Sequence, residues 1–192
     1  MFVKKVITAL FAALVLFSFS SNAYAEFFSV SAGIPFSQSF SQSWENSSGS
    51  IESDGVSGIL LHVKLPIMLG LGLETYETKI TAPDTNFSDM KLKTTMYDVF
   101  WMTPIPIINF TIGGGLGTTT LECNVETTGS CSDSFEAGTA SQLWAQLGFS
   151  PIPFLDVHMS YHNISSTVKG IGSAKDEDFS GSLMAVGVAF IF

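Results

Sequence analysis

The chain has 192 residues, seventeen acids against eight lysines and no arginine, and a net charge of −9. With no basic surface to neutralise phosphates, nucleic acid is excluded as a partner. Hydrophobic residues make up 46% and mean hydropathy is +0.37, which is more apolar than an acidic soluble domain needs, so the placement of that content decides the class.

Residues 1–25 hold one share of it. Lys4 and Lys5 precede an apolar run from Val6 to Phe19, and Ala23-Tyr24-Ala25 follows. A charged start, an apolar centre and small residues around a cleavage point predict a secretory signal peptide over 1–25, with 26–192 as the working domain. A permanent anchor fits less well, because the run is short and a cleavage pattern follows it. No Cys stands at that point to carry a lipid. Past Ala25 no window reaches the ~20 unbroken apolar residues of a membrane helix. Loss of Lys4 and Lys5 leaves six lysines against seventeen acids, hence −11.

From there apolar residues alternate with polar or small ones, the period of a strand. Eight strands are predicted, at about 27–36, 55–65, 68–80, 91–103, 109–121, 136–149, 155–168 and 180–192. Each holds the ~9–11 residues that a tilted membrane strand requires. Short apolar turns built on Pro-Ile fall at Leu65-Pro66-Ile67, Thr103-Pro104-Ile105-Pro106 and Ser150-Pro151-Ile152-Pro153, since proline cannot donate to a ladder. The other connections, roughly 37–54, 81–90, 122–135 and 169–179, are long and rich in Ser, Gly, Asn and acid. Short turns at one end and long polar loops at the other are the asymmetry of an outer-membrane barrel.

The alternation assigns faces. Outward fall Val30, Ile34, Leu61, Leu69, Leu71, Leu73, Tyr97, Val99, Ile112, Leu116, Leu143, Leu147, Val157, Met159 and Tyr161. Phe28, Trp101, Phe110, Phe149, Phe154 and Phe192 gather at the short-turn end, where an interfacial girdle belongs. Inward fall glycines and ionisable groups, among them Gly113, Gly115, Gly117, Tyr76, Phe100, Gln142, Trp144 and Ser160. A soluble barrel of lipocalin type would reverse the faces and leave Gly, His and Gln in water, against the apolar turns and the aromatic ring.

The candidate lumen cluster is His62, Lys64, Glu74, Asp98, Gln146, Asp156, His158 and His162. An eight-stranded barrel is just wide enough for side chains to fill it, and a buried charge needs a partner. These groups are therefore expected to form a hydrogen-bonded plug, with an imidazole protonated or carboxylates sharing protons. The alternative is a path for protons or a small solute. No metal is expected: His158 and His162 are about 13 Å apart along one strand at ~3.3 Å per residue, and His62 lies on another strand. The glycines at 113–117 lack the Lys and helix of a phosphate loop. Cys123 and Cys131 lie close together in a polar stretch of an exported chain, which predicts one loop-tying disulfide.

His158-Met159-Ser160 resembles the His-x-Ser pair on a late strand of the lipid A deacylases, which are eight-stranded barrels. That family's pair faces lipid, whereas this register turns both residues inward, and Tyr161 stands where the family has Asn. The final strand, ending Phe190-Ile191-Phe192, resembles the terminal strand of outer-membrane barrels, whose aromatic end is an assembly signal. With the signal peptide, eight strands and Pro turns, the whole mature chain resembles the superfamily of small outer-membrane β-barrels. That resemblance implies an all-β, eight-stranded, antiparallel, up-and-down transmembrane barrel in the bacterial outer membrane. Its implied partners are lipid, lipopolysaccharide and the barrel-assembly machinery, with no cofactor. The expected function is a non-enzymatic monomer whose acidic loops meet an extracellular ligand or maintain the envelope. A narrow conduit for a small or hydrophobic solute is second, and a lipid A-modifying enzyme third.

Overall fold

The computed structural model of the protein describes residues 28–41, 51–81, 87–103, 108–125, 134–152, 154–172 and 174–192. The expected signal peptide over 1–25 lies outside the described residues. The strands are β1 (Ser29–Phe40), β2 (Glu52–Lys64), β3 (Leu69–Thr81), β4 (Phe87–Thr103), β5 (Ile108–Val125), β6 (Phe135–Ile152), β7 (Leu155–Gly170), β8 (Glu177–Asp178) and β9 (Gly181–Ile191). From β1 to β7 each strand pairs antiparallel with the next; β7 pairs β9, and β9 pairs β1. Eight strands thus close a barrel, while the two-residue β8 lies against β7 at the loop end.

Closure is firm at the chain ends. Phe192 donates its N–H to the Phe28 carbonyl at 2.9 Å, and the two rings sit 6.4 Å apart. Pro35, which has no N–H to give, marks a register shift where β1 meets β9. The turn after β2 is closed by the Leu65 N–H on the Leu69 carbonyl at 2.7 Å, with Met68 in the left-handed region at φ 62°.

The assigned faces hold around the wall. Leu71, Val99, Leu143, Leu147, Met159 and Phe190 are exposed outward, and the residues between them are buried. Phe28, Trp101, Phe110, Phe149, Phe154 and Phe192 are all exposed at the short-turn end, while Tyr97 and Tyr161 mark the upper edge of the apolar band. In water such a contiguous apolar surface would be an aggregation site; in a bilayer it is the proper solvent.

Most of the strands are longer than the sequence predicts, although β3 keeps its expected length and β9 is shorter. β1 runs to Phe40, β4 begins at Phe87, β5 reaches Val125 and β8 forms near the chain's end, all inside stretches whose composition suggests loops. At ~3.3 Å per residue and a tilt near 40°, an 18-residue strand such as β5 rises about 45 Å, against an apolar band of about 25 Å. The upper part of the barrel stands clear of the membrane.

Candidate functional site

Register decides what meets inside. One inward row runs His62, Gly72, Asp98, Gly115, Gln142 across β2 to β6, and the next runs Leu60, Glu74, Met96, Gly117, Ala140. In the first row large side chains and glycines take turns, so each large group leans over a bare stretch of wall; in the second, three large groups are followed by Gly117 and Ala140. A Cβ on Gly113 would lie 2.4 Å from the Trp144 ring, and one on Gly72 would lie 2.4 Å from His62 Cδ2 and 3.0 Å from Asp98 Cβ. Glycine at these positions is what lets the lumen fill.

The middle of the lumen is a polar layer. His62 Nε2 lies 3.0 Å from Glu74 Oε1. The Gln142 amide donates to Glu74 Oε2 at 2.9 Å and to Asp98 Oδ1 at 2.8 Å, and Trp144 Nε1 adds a bond to Asp98 Oδ1 at 3.2 Å. His162 Nδ1 is 3.6 Å from Glu74 Oε2, and its Nε2 is 2.8 Å from the Ser160 hydroxyl. The Trp144 indole is sandwiched by the His62 and His162 rings, at 5.1 and 5.6 Å between centroids. Sequence reading separates these histidines because they occupy distant strands; across so narrow a lumen one indole touches both.

Nearer the short turns lies a second cluster. Asp156 accepts from Asn109 Nδ2 at 2.5 Å and from the Ser150 hydroxyl at 3.2 Å, and its other oxygen is 3.1 Å from His158 Nδ1. His158 Nε2 in turn lies 3.2 Å from the Ser31 hydroxyl. Nucleophile, base and orienter could be read into Ser31, His158 and Asp156. All three are buried, and the cavity that Ser31 lines has a volume of about 10 Å³, room for one water and none for an acyl group. The series ties β1 to β7. The His158 and Ser160 pair of the deacylase comparison faces inward and is spent on Asp156, Ser31 and His162.

Above the polar layers the interior turns apolar. Leu60, Tyr76, Ile164, Leu183 and Ala185 form one cluster. Thr94, Thr119 and Ser166 hydroxyls link side by side above it, at 3.1 and 2.9 Å, and Thr78 donates to Gln38. Over these sits a larger core of Ile51, Ile80, Met90, Leu92, Leu121, Cys123, Phe135, Val168 and Phe179. Cys123 is disulfide-bonded; its expected partner, Cys131, lies outside the described residues.

All eight candidate lumen residues are buried. Register brings His62, Glu74, Asp98 and His162 together, sets Asp156 and His158 apart, and leaves Lys64 and Gln146 on the small cavity with Ser31. Sequence reading passes over the bridging roles of Gln142, Asn109 and Ser31. Only the pairing of Gly115 with both Asp98 and Gln142 reveals the first of these.

No protein-family model and no curated protein matches the chain. Solved structures do. Neisserial surface protein A aligns over 86% of this chain and 97% of its own at TM-score 0.57 and 13% identity. Ail, the attachment invasion locus protein of Yersinia pestis, aligns over 86% and 97% at 0.55 and 16%. The E. coli outer membrane protein W aligns over 88% and 100% at 0.56 and 13%. The chain thus has the fold of the small eight-stranded bacterial outer-membrane barrels.

Proposed function

We propose that this chain is a monomeric, non-enzymatic barrel of the outer membrane that seals its own lumen and presents acidic loops to the outside. The observation that supports it is the double closure: a hydrogen-bonded layer around Glu74 and Asp98 lies below a packed apolar core around Phe179. A straight aqueous path would have to displace both. Outer-leaflet lipid and lipopolysaccharide surround the apolar band, and outward Phe190 and Phe192 serve the barrel-assembly machinery as its recognition end. Ail is named for attachment and invasion, and one of its structures holds the heparin analogue sucrose octasulfate. A surface role on this fold is in keeping with that, but six lysines against seventeen acids after residue 25 suit a cationic or neutral ligand rather than a polyanion.

The second reading, a conduit for a hydrophobic solute, has the apolar upper interior in its favour, with the polar layer beneath barring the way through. Planar-bilayer recording of residues 26–192 separates the two. The sealed barrel gives no steady conductance, and reproducible single-channel steps overturn it.

A further inference from the structure

We propose that the middle of the lumen is a binding site for a divalent transition-metal ion, held by His62, Glu74 and Asp98. The three lie on adjacent strands, β2, β3 and β4, and one potential ligand atom from each falls within 4.8 Å of the others. His62 Nε2 and Glu74 Oε1 are 3.0 Å apart. Bonds of about 2.0–2.2 Å to zinc separate tetrahedral ligands by roughly 3.3 Å, so closure asks Asp98 to move on the order of 1 Å. One imidazole and two carboxylates, with a position left for water, form a donor set that zinc and its neighbours accept.

Three further features point the same way. Gly72 sits between His62 and Asp98, and a Cβ there would collide with both, so the wall is hollowed where the ligands converge. Gln142 and Trp144 hold the carboxylates by Glu74 Oε2 and Asp98 Oδ1, the outer contacts that usually orient metal-binding carboxylates. Asp98 Oδ2 is buried with no hydrogen-bond partner among the described residues. That leaves this oxygen with an open lone pair inside the lumen, which a bound cation would fill. Along-strand spacing excludes a metal shared by His158 and His162, but these ligands converge across strands. The lumen is closed above and below, so the ion enters while the barrel assembles.

The test is to unfold residues 26–192 in chelator and refold them in detergent micelles with or without zinc. Metal is then counted after gel filtration, and the heat-shifted gel mobility of folded barrels confirms folding. About one zinc per chain and a raised melting temperature are expected. Glu74→Gln and Asp98→Asn should each bind roughly tenfold weaker or worse, while Asp156→Asn, in the other cluster, binds as the parent does. Cobalt in place of zinc should give the strong visible bands of a tetrahedral site, lost in Asp98→Asn; this second variant keeps the test alive if Glu74→Gln does not fold. A parent barrel that emerges metal-free, or zinc kept equally by both ligand variants, overturns the site.

Discussion

Below Tyr97 and Tyr161 the wall is apolar outside and polar inside; above them the same strands are polar outside and apolar inside. On β4 the outward series Trp101, Val99, Tyr97 gives way to Lys93 and Lys91, while the inward series Phe100, Asp98 gives way to Leu92 and Met90. Along this stretch of β4 neither the alternation nor the pairing register with β3 changes. What changes is the solvent outside, from acyl chain to water, and the interior takes the opposite character each time. The lower barrel is held by paired polar groups in a low-dielectric wall, where one lost partner is expensive. The upper barrel is held as a soluble protein is, by an apolar core.

The sharpest break in that comparison comes from removing one side chain in each half. Glu74→Ala strips His62 and Gln142 of a shared hydrogen-bond partner and His162 of a nearby carboxylate, and should cost about 3–5 kcal/mol. Phe179→Ala leaves a cavity in the upper core and should cost a similar 3–5 kcal/mol. The two should differ in reach. Hydrogen exchange should quicken throughout the barrel for Glu74→Ala, but only above Tyr97 for Phe179→Ala, the upper core being separable from the membrane band. Uniform quickening in both would show that the halves form one cooperative unit.

Outer-wall charge is the next test. Leu147→Lys places an ammonium in the apolar band and should cost about 2–4 kcal/mol in vesicle refolding titrations. Ser165→Lys, on the outer wall of β7 above Tyr161, should change stability by less than about 0.5 kcal/mol. Equal costs would mean that lipid covers both levels.

The lower half was legible in the sequence for a physical reason. Leu69, Leu71 and Leu73 against Gly70, Gly72 and Glu74 is a contrast that only two unlike solvents explain, so strand, face and location follow together. The upper half was not. Phe40 sits between Ser39 and Ser41, Met90 between Asp89 and Lys91, and Cys123 between Glu122 and Asn124. Each apolar residue is alone among polar neighbours, and composition alone makes such stretches loops. The site was half legible: inwardness follows from the period of two, but convergence of His62, Glu74 and Asp98 needs the register of three strands, which no single strand records.

A smaller effect probes how closely the lower lumen is fitted. Gly72→Ala sets a methyl against the His62 ring and Asp98, and should cost about 1–3 kcal/mol by overpacking. Adding the same methyl at Gly55, where nothing lies within 4 Å but φ is +131°, tests backbone strain alone. A cost at Gly72 no greater than that of other buried small-to-Ala changes would say that the polar layer has slack.

The smallest effect lies on the outer wall of the upper barrel. Lys93 Nζ donates to Glu122 Oε1 at 2.8 Å and lies 3.9 Å from Glu77. The hydrogen bond to Glu122, helped by the charges of Glu122 and Glu77, holds the ammonium above the usual lysine range. A pKa raised by folding stabilises the folded state wherever the unfolded lysine is still protonated, below about pH 10.4. That contribution fades as pH climbs through the higher folded value, so Lys93→Met should flatten the alkaline limb of stability against pH and leave the acid limb to the carboxylates. Salt should erase the difference, because the pair stands in water. If Lys93→Met instead weakens the barrel equally at high salt and at every pH, then the outer face of the upper barrel is not solvated, and the inversion of solvent at Tyr97 is wrong.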